Sequence, residues 1–383
     1  MPEKKQKRRG HGEGSIYQRK DGRWGATISL ENGKRKTLYG KTRKEVADKL
    51  NTALQEQKQG LLITGPSQTV ANYLQYWLEK VHKTTIKEST YALYRRNLKN
   101  HIIPALGHIQ LQKLTADQVQ AFYSEMASKG LSSGTIRLLH TIFDAALGDA
   151  VQWKRLAVNV CDAVKLPRLS QREARPLDQE QAQRLLRAAQ GNRLACLLTV
   201  ALTTGMRLGE LLALRWDDVN LEKQVLQVRS TVDYVPGLGR VASEPKTEAG
   251  KRRIVLPQMT VEALKQQRAH QLEARLKVGT AWQERGLVFA NRNGGYFSRA
   301  RLYANFKKIL KEAGLPDMHF HDLRHSAATI LLSMGVPANV VQEILGHANF
   351  GTTMNIYGHV LPSMQRDAMA GLDGFFRGSR QGK

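Results

Sequence analysis

Along the first sixty residues apolar positions recur at every second residue. Trp24, Ala26, Ile28 and Leu30 alternate with Arg23, Gly25, Thr27 and Ser29, the period of a strand with one apolar face and one small, polar and basic face. Asp21-Gly22 and Asn32-Gly33 stand on either side. Such dipeptides favour tight hairpin turns in which both central residues take positive φ, so three strands are expected. Thr42-Arg43-Lys44-Glu45 then has the form of a capping box and opens a helix that ends near Gly60. That helix is expected to cover the apolar face and leave the opposite face free.

Beyond Thr64-Gly65-Pro66-Ser67, which reads as a linker, the period changes to that of a helix. Val70, Tyr73, Leu74, Trp77 and Leu78 form one apolar stripe, and Tyr91, Tyr94, Leu98 and Ile102 a second, closed by Pro104 and Gly107. Two more amphipathic helices are expected over Thr115–Lys129 and Ser133–Trp153. A Pro-containing, charged linker runs from Lys165 to Pro176, and Asp178 caps a helix lying between Leu177 and Gly191. Further helices are expected near 193–204, 260–277, 299–313, 321–334 and 338–345, with strands at 225–232 and 251–256. The pattern predicts a multidomain, mainly α chain. It comprises a small three-stranded β-sheet plus helix over 1–63, a helical domain over 68–165, and a mixed, mostly helical α+β domain with a C-terminal tail over 173–383.

Charge then narrows the choice of partner. The chain has 59 Lys+Arg against 33 Asp+Glu, a formal net charge of +26. Self-repulsion of that size suggests a polyanion, and nucleic acid fits because each neutralised phosphate releases counterions. Residues 1–60 carry 16 Lys+Arg against 7 Asp+Glu, including the tail Lys4, Lys5, Lys7, Arg8 and Arg9. A three-stranded sheet of this kind can lie in a major groove, with Arg19, Arg23, Lys34 and Arg35 as candidate DNA contacts. In the helical domain Arg95, Arg96 and Lys99 lie outside the apolar stripes. They suit a DNA-contacting surface or the solvated side of an ordinary four-helix bundle, and the pattern alone leaves both open. The two cysteines, Cys161 and Cys196, read as small core residues. With no signal peptide and no apolar run of bilayer length, a soluble protein of the bacterial cytoplasm, with no membrane partner, is expected.

Five short segments in the C-terminal half carry candidate chemistry. Thr204-Gly205-Met206-Arg207-Leu208-Gly209-Glu210 brackets an arginine between glycines that allow tight turns, with Glu210 placed to orient it. Glu244-Pro245-Lys246-Thr247 puts a lysine on a hairpin. His321-Asp322-Leu323-Arg324-His325 opens a helix, so His321 and Arg324 share a face and a bound phosphate would gain from the helix N-terminus. In Leu345-Gly346-His347 the glycine ends a helix and the histidine lies on the turn beyond. Tyr357 follows ten residues later, a phenol able to accept a phosphoryl group once deprotonated. Taken singly, each segment has an ordinary structural reading: an Arg–Glu pair, a solvated lysine, a surface helix start, a helix stop, a half-buried aromatic.

Their order is more specific. Arg207, Lys246, His321, Arg324, His347 and Tyr357, in this sequence, resemble the active-site set of the tyrosine recombinases, the lambda-type phage integrase family. The resemblance spans nearly the whole chain. It implies an arm-type DNA-binding domain at 1–63, a core-binding domain at 68–165 and a catalytic domain from 173 onward. It further implies cleavage and rejoining of DNA through a 3′-phosphotyrosyl intermediate on Tyr357, within a homotetramer and through a Holliday junction. Integration or excision of a phage or mobile element would follow, at core-type and arm-type sites, with a possible accessory bending or directionality factor.

The residue types suit that reaction. Arg207 and Arg324 present planar forks of donors to the non-bridging oxygens, His347 adds a donor, His321 assists proton movement, and Lys246 protonates the departing 5′ oxygen. The sequence has no carboxylate cluster at Mg²⁺ spacing, no phosphate-binding Gly-rich loop and no Cys/His zinc pattern, so no metal or cofactor is expected. A type IB topoisomerase-like enzyme and a catalytically silent DNA-binding regulator remain the alternatives.

Overall fold

The computed structural model describes residues 14–29, 35–58, 68–169, 176–235, 239–244, 250–346, 369 and 372. The chain divides into two compact units, Met1–Gln171 and Arg172–Lys383.

In the first unit β1 (Ser15–Gln18), β2 (Trp24–Ser29) and β3 (Arg35–Gly40) form an antiparallel sheet in that order. The helix α1 (Arg43–Lys58) starts as its sequence requires, with the Thr42 hydroxyl accepting from the Glu45 amide at 3.2 Å. Val46, Leu50 and Ala53 of α1 bury against Ala26 and Ile28, the expected apolar face. Each large side chain buried in this way contributes about 1.5–3 kcal/mol.

The first hairpin turn differs from expectation. Only Gly22 has positive φ, Arg19 N donates to Arg23 O at 2.8 Å, and Gly22 N donates to Arg19 O at 3.0 Å. This is a three-residue loop with one left-handed residue, the glycine, so Asp21 needs no positive φ; its carboxylate accepts the Arg23 amide at 3.2 Å. The second turn, with Asn32, Gly33 and Lys34, lies outside the described residues.

The same unit holds a separate helical core. The helix α2 (Val70–Tyr76) continues into a π turn over Trp77–His82. The next helix, α3 (Glu88–Asn97), continues through a π turn over Leu98–Ile102 into α4 (Ile103–Leu106). Pro104 therefore does not end the helix. The Ile103 amide donates to Leu98 O, and this wider turn precedes the proline, so the helix runs on to its close at Gly107. The last two helices, α5 (Ala116–Ser128) and α6 (Ser133–Gln152), start at the side-chain caps Thr115 and Ser132. Tyr73 and Trp77 are buried, and their polar ends are satisfied on α6 by Ala146 O at 2.5 Å and Asp149 Oδ2 at 2.6 Å.

The second unit begins with α7 (Gln179–Ala188), capped by Asp178 as expected. It continues with α8 (Ala195–Thr204), α9 (Leu208–Ala213) and the strands β4 (Val219–Asn220), β5 (Val225–Val228), β6 (Thr231–Val235), β7 (Gly239–Ser243) and β8 (Arg252–Val255). Among the described residues the α-helices α10 (Gln258–Val278), α11 (Arg299–Glu312), α12 (Asp322–Ser333) and α13 (Ala338–Leu345) follow. One sheet has the order β4-β5-β8, and β6-β7 is a separate hairpin.

The expected single strand at 225–232 is thus two strands serving different sheets, separated at Arg229 and Ser230. A strand at 239–243 was not among those expected; cross-strand pairing with β6 forms it. Among the described residues no helix is long and apolar enough to cross a membrane.

Candidate functional site

Three elements meet at the turn that ends α8. Gly205 adopts φ +60°, and a β-carbon there would lie 2.2 Å from Leu345 Cδ2 of α13 and 3.5 Å from Ala327 Cβ of α12. Only glycine meets both demands, the left-handed backbone and the close approach. Gly209 plays a different part from the turn expected of it. It lies inside α9, where a β-carbon would come 2.4 Å from Thr231 Oγ1, so its lack of a side chain lets α9 pack on β6.

The turn delivers Arg207 to the start of α9. Its Nη1 donates to Glu210 Oε1 at 2.8 Å, its backbone amide to Glu210 Oε2 at 3.0 Å, and its Nη2 to the Gly346 carbonyl at 3.4 Å. Glu210 is buried and holds a second guanidinium, with Arg252 Nη2 donating to Oε2 at 3.0 Å. Burial alone would raise the Glu210 pKa, but Arg252 first and Arg207 next outweigh it and hold the carboxyl below its usual range.

Arg324 enters from α12 and donates from Nη1 to the Gly205 carbonyl at 2.8 Å. Burial, reinforced by the nearby Arg207 charge, pushes its pKa down to about 9, so it is still a cation at neutral pH. His321 is the exposed residue that precedes α12. Lost hydration first, then His325, Arg324 and Arg207, lower its pKa and favour the neutral ring.

One part of the phosphate expectation changes. The amides of Asp322, Leu323 and Arg324 already donate to the carbonyls of His319, Phe320 and His321. An anion here would be held by guanidinium and imidazole side chains rather than by free helix amides.

The structure therefore brings Arg207, His321 and Arg324 together. Lys246, His347 and Tyr357 lie outside the described residues. The residues flanking the Lys246 segment are tied to one another by a Lys251–Glu244 ion pair at 2.9 Å, and His347 directly follows the carbonyl that Arg207 contacts. Arg252 is a participant the motifs did not reveal. The available signal was its register in β8, where Arg252 takes an inward position alongside Ile254. With Arg207 and Arg252 bonded to Glu210 and the Arg324 charge nearby, the cluster has a positive excess suited to an anion.

On the first unit, Arg19, Arg23 and Arg35 are exposed on the sheet domain, and Arg95, Arg96 and Lys99 on α3 and its π turn. The sheet face away from α1 is not only small and polar. Tyr17 and Tyr39 stand directly across the strands from Gly25, and Arg19 lies over the Tyr39 ring, 5.0 Å from its centroid.

Comparison with known proteins gives these features a family. Residues 175–364 match the phage integrase family model, and residues 69–127 match the SAM-like N-terminal domain of phage integrases. A "Tyrosine recombinase XerC-like" protein of Caldanaerobacter subterraneus subsp. tengcongensis is 32% identical over 366 residues, covering 90% of this chain and 94% of that one. An integrase of Streptomyces ambofaciens is 30% identical over 388 residues, covering 97% and 98%. Among solved structures, the Tn1549 transposon integrase in complex with transposon right end DNA superposes with a TM-score of 0.67 at 23% identity, covering 79% of this chain and 100% of that one. A lambda integrase tetramer bound to a Holliday junction superposes with a TM-score of 0.56 at 18% identity, covering 87% and 95%. The chain belongs to the phage integrase family of tyrosine recombinases, enzymes that exchange DNA strands.

Proposed function

We propose that the chain is a site-specific integrase in which Tyr357 attacks a DNA phosphate held by Arg207 and Arg324. The phenol oxygen forms a bond to phosphorus, the bond to the 5′ oxygen breaks, and the phenol proton leaves through His321. Lys246 supplies the proton that the 5′ oxygen takes up, and His347 donates to a non-bridging oxygen. One phosphodiester is exchanged for another, so a second 5′ hydroxyl can reverse the step on a new strand without an energy source, and the reaction balances without a cofactor. The single observation that carries this reading is the convergence of Arg207 and Arg324 on the Gly205 turn, with His321 beside them.

Residues 1–63 serve as an arm-type DNA-binding domain, 68–165 as a core-binding domain and 173–383 as the catalytic domain. Double-stranded DNA is the partner. Arg19, Arg23, Lys34 and Arg35 contact arm-type sites, and Arg95, Arg96 and Lys99 contact the backbone of core-type sites. Assembly is as a homotetramer on DNA, in the cytoplasm of a bacterial host, recombining a phage or other mobile element. The relatives named integrases and the neighbours solved on DNA support this reading. A recognition site selected from random duplex DNA, then nicked to trap the intermediate, tests it. A detergent-stable protein–DNA adduct at one position is expected, and non-covalent binding alone would contradict it.

A further inference from the structure

The Arg252 side chain makes three bonds with its guanidinium. Nε donates to the Ile344 carbonyl at 2.7 Å, Nη1 to the Gly250 carbonyl at 3.3 Å and Nη2 to Glu210 at 3.0 Å. All three of its guanidinium nitrogens are thus committed to protein acceptors, and its side chain is 5% exposed against 42% for Arg207. Both arginines hold the same carboxylate, and both hold a carbonyl at the C-terminal end of α13, Ile344 for one and Gly346 for the other.

We infer that Arg252 is a positioning residue for strand cleavage, aiming Arg207 through Glu210 while it fixes the end of α13. The physical argument is the geometry of the fork. Glu210 fixes the Arg207 guanidinium through Oε1 alone, and within α9 its Oε2 is held only by the Arg207 amide, so a second donor on Oε2 further restrains rotation of the carboxylate. Arg252 supplies that second donor from β8, and its Nε anchors the same unit to α13. A displaced Arg207 loses the alignment on which stabilisation of developing charge depends. Lysine keeps the charge at this position but has one nitrogen, so it cannot reach Glu210, Ile344 and Gly250 together.

This inference rests on the proposed role of Arg207. The full-length protein is tested in single turnover on the nicked suicide duplex, once with a normal scissile phosphate and once with a methylphosphonate there. The methylphosphonate is uncharged and needs less help from a cation. R252Q should cleave the normal phosphate about 10- to 100-fold more slowly, as for other supporting-shell losses, with unchanged DNA affinity. On the methylphosphonate the deficit should shrink several-fold. R252K should recover only part of the rate, and both variants are assayed well below their melting transitions to guard against a folding defect. An equal deficit on both substrates, or no deficit, overturns the inference while leaving the cleavage reading intact. A wild-type protein that forms no adduct on either substrate overturns both.

Discussion

Arg324 reaches back 119 positions to donate 2.8 Å to the carbonyl of Gly205, the residue that turns the chain toward Arg207. One bond therefore fixes the start of α12 to the end of α8 and sets two candidate phosphate-binding arginines side by side. Arg324→Lys should bind DNA with near-normal affinity and lose about 10²–10³ in cleavage rate, since lysine cannot both hold the carbonyl and offer a fork to the phosphate. Single-turnover kinetics at saturating protein check this; a loss below tenfold would speak against the role.

Gly205→Ala should destabilise the protein by about 1–3 kcal/mol. The left-handed backbone disfavours any side chain, and the β-carbon would press on Leu345. The shift in the urea midpoint measures it. Measured against Leu345→Ala alone, adding Gly205→Ala should cost only the backbone part, because the steric part is already relieved.

Loss of the Glu210 carboxylate strands a buried guanidinium. Glu210→Ala should cost about 3–5 kcal/mol by denaturant unfolding, the range for breaking a buried pair from one side. No measurable change would show that the pair is not buried in solution.

His321 and His325 both have lowered pKa values, chiefly from lost hydration, with the Arg324 charge adding to it. The sign follows directly. Below the unfolded value of about 6.5 the unfolded chain takes up protons that the folded site resists. The stability that these residues contribute is fully present above about pH 6.5 and declines as pH falls through the lowered folded values. A double His321→Gln, His325→Gln variant should flatten the fall in unfolding free energy just below pH 6.5.

If Arg95, Arg96 and Lys99 contact phosphates, replacing all three with Ala should weaken binding to every duplex alike. It should also reduce the slope of log affinity against log salt by roughly 0.9 per contact. A change in sequence preference without a change in slope would assign them to base readout instead.

Much of this was legible in the sequence, because local chemistry determines it. The alternation of Trp24, Ala26 and Ile28 is borne out by their cover under α1, and the Asp178 cap and the Gly346 stop stand where their residue types require. The convergence of Arg207, His321 and Arg324 was implied by family order rather than by any local pattern. Arg252 escaped notice because a buried arginine in a basic run looks like a solvated one until its partner Glu210, 42 positions away, is seen. The β6–β7 hairpin and the π turn before Pro104 were hidden for a related reason: strand pairing and a shifted helical register override the propensities of single residues.

The most direct test is the identity of the residue joined to DNA. Trapping the full-length protein on the nicked suicide duplex, digesting it and sequencing the nucleotide-bearing peptide should locate the link at Tyr357, with Tyr357→Phe binding the duplex normally and yielding no adduct. An adduct on any other residue, or one that survives Tyr357→Phe, would contradict the assignment of the nucleophile.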